Sequence, residues 1–253
     1  DDSAAGDDDS AAGDDDSAAG DDDSAPANVC PQLRSQPTGA FQLGVAMELP
    51  GSDLVSISWG GSDPRQFAVM QGLGAWCPWT PTTMALMCTG VAGDIVSGQP
   101  SSVVFGSTEP AEIAIELAVP KDATSFSLAW AFFSREYPEW VGSTYNDLFE
   151  LLVQSDSFVG QVLWDQFGNP ISVNNAFLTR TNPSGLAGTG FDADGATAWV
   201  RSVVPVVGGE ALSLRFVIQD AGDVVWDSCA LLDAFAWGFA PGTQGSATDT
   251  GLP

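Results

Sequence analysis

The sequence predicts an all-β protein, an antiparallel β-sandwich of jelly-roll-like kind behind a disordered acidic tether. Three observations carry this. Bulky apolar residues alternate with small or polar ones along several segments, helical periodicity is scarce, and turn-forming clusters separate the segments.

The tether comes first. Asp7-Asp8-Asp9-Ser10-Ala11-Ala12-Gly13 recurs from Asp14 and, with a changed end, from Asp21. A seven-residue period suits a coiled coil only with apolar a and d positions, and this repeat offers Ala and Gly beside three consecutive Asp. Self-repulsion and the lack of buriable surface predict an extended, solvated stretch over 1–27, either a spacer or a low-complexity tract. Asp1-Asp2-Ser3 reads as a truncated unit, so a leader or lipid anchor is expected upstream of residue 1.

The predicted domain spans 28–240. In Ile113-Ala114-Ile115-Glu116-Leu117-Ala118-Val119 the bulky residues alternate with Ala and Glu. Phe126, Leu128, Trp130 and Phe132 alternate with Ser127, Ala129, Ala131 and Phe133, and Leu212, Leu214, Phe216 and Ile218 share one side of their segment. One dry and one wet face per strand is the mark of a sandwich. Asn182-Pro183-Ser184-Gly185 and Val207-Gly208-Gly209-Glu210 read as turns, and strand is expected from Phe149 onward. Residues 241–253, rich in Gly, Thr, Ser and Pro, are expected to form a loose tail.

Composition then narrows function. The 253 residues are 44% hydrophobic, enough for one sizeable core, and carry 33 acids against 7 bases. Eleven acids lie in the first 24 residues, so the remainder is still strongly acidic. That field repels phosphate backbones and anionic membranes, which argues against nucleic acid, and it favours cations. Histidine is absent, which removes Ser-His-Asp and Cys-His catalysis. No apolar run reaches the ~20 residues of a membrane span. Cys30, Cys77, Cys88 and Cys229 fit no CxxC pattern, and their even number points to two disulfides and an exported protein. Cys77–Cys88 with Cys30–Cys229 is the favoured pairing, because the first closes a short Pro-containing loop.

Polar clusters interrupt the apolar segments at Ser134–Asp147, Asp192–Gly195 and Asp220–Ser228, with Asn174-Asn175 between. Carboxylates crowded at one end of a sandwich repel one another unless a cation sits among them. Calcium takes six to eight oxygens, and Glu136, Glu139, Asn146, Asp147, Asp220, Asp223 and Asp227 form the expected ligand pool, although no EF-hand spacing is present. Solvated turns would account for the same residues. Tyr137, Trp140, Tyr145 and Trp226 flank these loops, where they could stack on sugar rings or simply cap the core. Glu136 with Glu139, or Asp223 with Asp227, could serve as a glycosidase pair, but without histidine or a nucleophile motif an enzyme is the disfavoured class.

The run from Phe132 to Phe149, FFSREYPEWVGSTYNDLF, resembles the F-x-S-x-E-Y-P-x-(aromatic)-V-G-x-x-(aromatic)-N-D-x-F signature of the choice-of-anchor L domain. Ile171-Ser172-Val173-Asn174-Asn175 is similar to a strand motif of that family, Phe191-Asp192 through Thr197 to its F-D-G-x-T segment, and Ile218–Asp223 with Trp226-Asp227-Ser228 to its D-A-G-D…D-S signature. The resemblance covers roughly 103–237. It departs at Ala193-Asp194, inserted before the glycine, and at Cys229, where glycine is frequent. It implies a bacterial surface or secreted domain with no established catalytic activity. The expectation is therefore a structural or adhesive surface module stabilised by calcium, with glycan binding as the alternative and carboxylate-dependent hydrolysis second. A surface glycan, a protein partner or self-association would follow.

Overall fold

A computed structural model describes residues 30–79, 82–105, 109–165, 167–175, 183–222, 224–240 and 245–248; the acidic repeat lies outside them. The strands in chain order are β1 (Arg34–Ser35), β2 (Leu54–Gly60), β3 (Phe67–Met70), β4 (Met84–Cys88), β5 (Ala111–Ala118), β6 (Ser125–Ser134) and β7 (Leu148–Ser155). They continue as β8 (Val159–Gln161), β9 (Ile171–Ser172), β10 (Gly195–Ala196), β11 (Val200–Pro205), β12 (Ala211–Gln219), β13 (Ser228–Gly238) and β14 (Gly245–Thr248). Short helices α1 (Ala40–Ala46) and α2 (Ala92–Ile95) fill gaps between them.

Two antiparallel sheets form the sandwich. One runs β1-β3-β4-β13-β6-β11-β14, with β10 also on β6; the other runs β2-β5-β12-β7-β8, with β9 also on β7. From β5 to β7, and again from β11 to β13, the chain crosses from sheet to sheet, as in a jelly roll. The main core lies between the sheets. Ile113, Ile115 and Leu117 of β5, Leu212, Leu214, Phe216 and Ile218 of β12, and Phe126, Leu128, Trp130 and Phe132 of β6 all point into it. The dry face read for each of these strands is the face found, and each such side chain contributes roughly 1.5–3 kcal/mol on burial.

The outer faces differ. On the six-stranded sheet Glu112, Glu116 and Arg215 alternate with core residues, and Arg215 pairs with Glu112 at 2.5 Å. On the larger sheet the expected wet face of β6 is dry: all ten of its residues are buried. Ala129, Ala131 and Phe133 pack with Leu73, Trp76, Leu186, Phe191 and Trp199 in a second apolar layer. Strand pattern alone hid this, because the covering residues come from loops distant in sequence.

The disulfides differ from the expected pairing. They join Cys30 to Cys77 and Cys88 to Cys229. Cys88 ends β4 directly opposite Cys229 of β13, with Cα atoms 4.1 Å apart, so strand register chooses the partner and carries Cys88 away from Cys77. The expected tail also contributes β14, which pairs with β11. Residues 241–244 and 249–253 lie outside the described residues.

Candidate functional site

One end of the sandwich gathers every polar cluster picked out in the sequence. β6 ends there at Ser134, flanked by Ser228 of β13 and by Gly195 of β10. β7 begins there at Leu148, opposite Gln219 of β12 and Ser172 of β9. The turns 135–147 and 220–227 therefore leave neighbouring strand ends and lie side by side. All four stretches that carry the family resemblance converge on this rim.

Asp147 staples the two turns. It is fully buried; its Oδ1 accepts from the Ala221 amide at 3.0 Å and its Oδ2 from the Ser228 hydroxyl at 2.6 Å. The Asn146 amide donates to the Ala221 carbonyl at 3.1 Å. Glu136, also fully buried, accepts from the Asp147 amide at 3.2 Å. Thr89 accepts from the Ser228 amide at 3.0 Å, which ties β4 to the same point.

Asn174 shapes the outer loop. Its side chain accepts from the Gly142 amide at 2.5 Å and donates to the Ser143 carbonyl at 3.1 Å, while its own amide donates to Asn146 Oδ1 at 2.8 Å. Gly222, with φ +104°, lets the 220s turn approach so closely that a Cβ there would lie 2.7 Å from the Thr144 carbonyl. Glycine tolerates both that φ and that proximity.

Arg135 is buried and committed to the scaffold. Its guanidinium donates to the carbonyls of Gln99, Ile95 and Gly190 at 2.9, 2.8 and 3.1 Å and lies 5.6 Å from the centre of the Phe191 ring. Burial lowers its pKa, opposed by the charges of Asp227 and Asp194. Burial likewise raises Asp227 and Asp194 to about 6, with Arg135 opposing.

The predicted metal ligands separate into distinct environments. Glu136 and Asp147 are buried and hydrogen-bonded, Asn146 holds Asn174, Glu139 is exposed, and Asp223 lies outside the described residues. Asp220 and Asp227, with Thr89 and Glu109, line a polar cavity of about 10 Å³. Among the described residues no three of Asp, Glu and Cys are grouped to hold a metal ion. The two acidic turns do meet, through hydrogen bonds to amide and hydroxyl donors. Thr89, Asn174 and Ser228 were not in the predicted site; Ser228 and Asn174 sit in the quoted motifs, whereas Thr89 carries no sequence signal.

The aromatic residues also sort themselves. Tyr137 is half-buried, packed on the main core and over Gly195, where any Cβ would strike its ring. Trp140 stays 39% exposed, held edge-to-face against Tyr145 with ring centroids 5.1 Å apart. Trp226 is 43% exposed on the neighbouring turn, one residue before Asp227, whose carbonyl accepts from the Arg135 amide. Val141 and Val225, beside them, are exposed as well. A separate apolar cleft of about 260 Å³, lined by Phe158 and Val204 to Val207, opens at the opposite end and shares no residue with this rim.

No family model matches the chain, and no curated protein matches it. Among solved structures it is similar to the K1 cleaved adhesin domain of Lys-gingipain from Porphyromonas gingivalis W83, with 10% identity, 81% of this chain and 98% of that chain covered, and a TM-score of 0.35. It is similar to a carbohydrate-binding module specific for non-crystalline cellulose, with 6% identity, 71% and 86% covered, and a TM-score of 0.35. It is also similar to the enzymatically active domain of tailspike protein 4 from bacteriophage CBA120, with 12% identity over 77% of this chain and a TM-score of 0.32; the chain spans 21% of that protein's length.

Proposed function

We propose that this chain is an exported β-sandwich binding module whose stapled rim docks the rings of a surface glycan on Trp140, Tyr145 and Trp226. The observation that carries the reading is exposure: among the described tryptophans only Trp140 and Trp226 are more than a third exposed, and they lie on adjacent turns. A large ring left wet costs apolar burial, and a rigid amphipathic ring beside polar groups suits a sugar face. Two disulfides support export, since such bonds persist in oxidising compartments. The convergence of the four motif stretches on this rim supports membership of the choice-of-anchor L group. Adhesion is the biological role that follows.

A divalent ion at the rim is the second element of the proposal, supported by the acidic character of the two turns that meet there, with Asp220 and Asp227 lining one polar cavity. Calcium there would neutralise those charges.

A glycan array on the protein tests the first reading. Reproducible binding lost in Trp140→Ala and Trp226→Ala, both with unchanged melting temperature, is the expected result; binding retained in both variants rules it out. Melting in excess EDTA tests the second: a lowered Tm supports calcium, and an unchanged curve removes it.

A further inference from the structure

We infer that the two disulfides route tension arriving along the acidic repeat past most of the domain, so that the rim stays folded while the chain is pulled. Cys30, the first described residue after the repeat, is bonded to Cys77, which closes residues 31–76 in a loop that a pull cannot lengthen. Cys88 is bonded to Cys229 over a separation of 141 residues, which closes 89–228 in a second loop. The groups that shape the rim lie in that second loop, Trp140, Tyr145, Asn146, Asp147, Asn174 and Trp226 among them. The biological sense of the device rests on the glycan-docking reading above; its mechanics do not.

The covalent line is short. From Cys30 it steps to Cys77, follows residues 78–87, and crosses from Cys88 to Cys229. There it arrives beside the staple. Thr89 and Ser228, the next residues on each side, are joined twice: the Thr89 amide donates to the Ser228 carbonyl at 2.9 Å, and the Ser228 amide to the Thr89 hydroxyl at 3.0 Å. Ser228 in turn donates to Asp147. A ligand held on the rim therefore pulls against the acidic repeat through two disulfides and the segment between them. That segment contains β4, whose five residues are all buried between β3 and β13, so it lengthens only if both of those ladders open. Within the closed loops a covalent bond stands in for the unfolding barrier that otherwise sets the lifetime of a pulled domain.

The test is single-molecule force extension of the full chain between handle proteins, in oxidising buffer and then with dithiothreitol. Between Cys30 and Pro253 only residues 78–87 and 230–253 lengthen in the oxidised chain, by about 12 nm in all at about 3.6 Å per residue. Reduction of Cys30–Cys77 adds about 17 nm and reduction of Cys88–Cys229 about 50 nm, from sequence separations of 47 and 141. Cys30→Ser combined with Cys77→Ser, pulled without reductant, should add the shorter step alone; reduction of the wild type in place gives the same reading if that variant does not fold. Steps of about 17 or 50 nm from the oxidised wild type overturn the inference, as does reductant that adds no length. A glycan array without hits leaves these lengths unchanged, so the docking reading and this inference fail separately.

Discussion

Replacing Asp147 with alanine tests the staple that makes the rim. The carboxyl makes two hydrogen bonds inside the protein, to the Ala221 amide and the Ser228 hydroxyl. Removing the acceptor leaves a buried hydroxyl and an amide without it, at about 1–3 kcal/mol each. Relief of a buried carboxylate offsets part of the loss, so the net cost is about 3 kcal/mol. For a domain of this size each kcal/mol moves Tm by roughly 2–4 °C, which places the fall at about 6–12 °C. Calorimetric unfolding of Asp147→Ala, Ser228→Ala and the double variant gives the cycle. Ser228→Ala alone should cost about 1–2 kcal/mol, and the pair should couple by at least about 1 kcal/mol, as contacting residues do. A Tm for Asp147→Ala within about 2 °C of wild type refutes the staple.

Stability should also respond to pH in an unusual direction. Burial raises Asp227 to about 6 and Asp233 to about 7 from an ordinary 3.8, so between these limits the folded chain binds more protons than the unfolded one. Stability is then gained as pH falls from about 7.5 towards 4 and lost as it rises, Asp233 alone contributing on the order of 4 kcal/mol. Glu210 and Asp165, whose carboxyls hydrogen bonds hold below their ordinary values, reverse the trend at lower pH. Tm measured from pH 4 to 9 should peak on the acid side of neutrality, and Asp233→Asn should flatten the slope; a plateau through pH 8 in the wild type contradicts this. Gly222→Ala strains a left-handed turn against the Thr144 carbonyl and should weaken ligand binding more than it lowers Tm, read by calorimetry on both. Reduction with dithiothreitol under mild denaturant should cleave Cys30–Cys77 before Cys88–Cys229, because Cys88 and Cys229 are fully buried; mass mapping of the alkylated thiols reports the order.

The sandwich was legible where one face is wet. In β12, Leu212 to Ile218 alternate with Ser213 and Arg215 because that sheet turns its other side to solvent. β6 was misread as half-wet because Ala129, Ala131 and Phe133 are covered by Trp76, Phe191 and Trp199, which reach it from other parts of the chain. Disulfide pairing depends on β4 lying beside β13, a fact of tertiary register that cysteine spacing does not encode. At the rim, the meeting of the two acidic turns was legible from charge and motif. Its chemistry was not, since the donors that neutralise Asp147 are an alanine amide and a serine hydroxyl, neither of which stands out in a sequence.

The insulation of one sheet leaves the other to govern how copies of the chain meet. Its bare side carries Glu112, Glu116 and Glu150 around Arg215. Two copies brought flank to flank would confront like charge at short range, where ions in physiological medium screen over only about 8 Å. Charge on that flank therefore opposes face-to-face stacking of two copies.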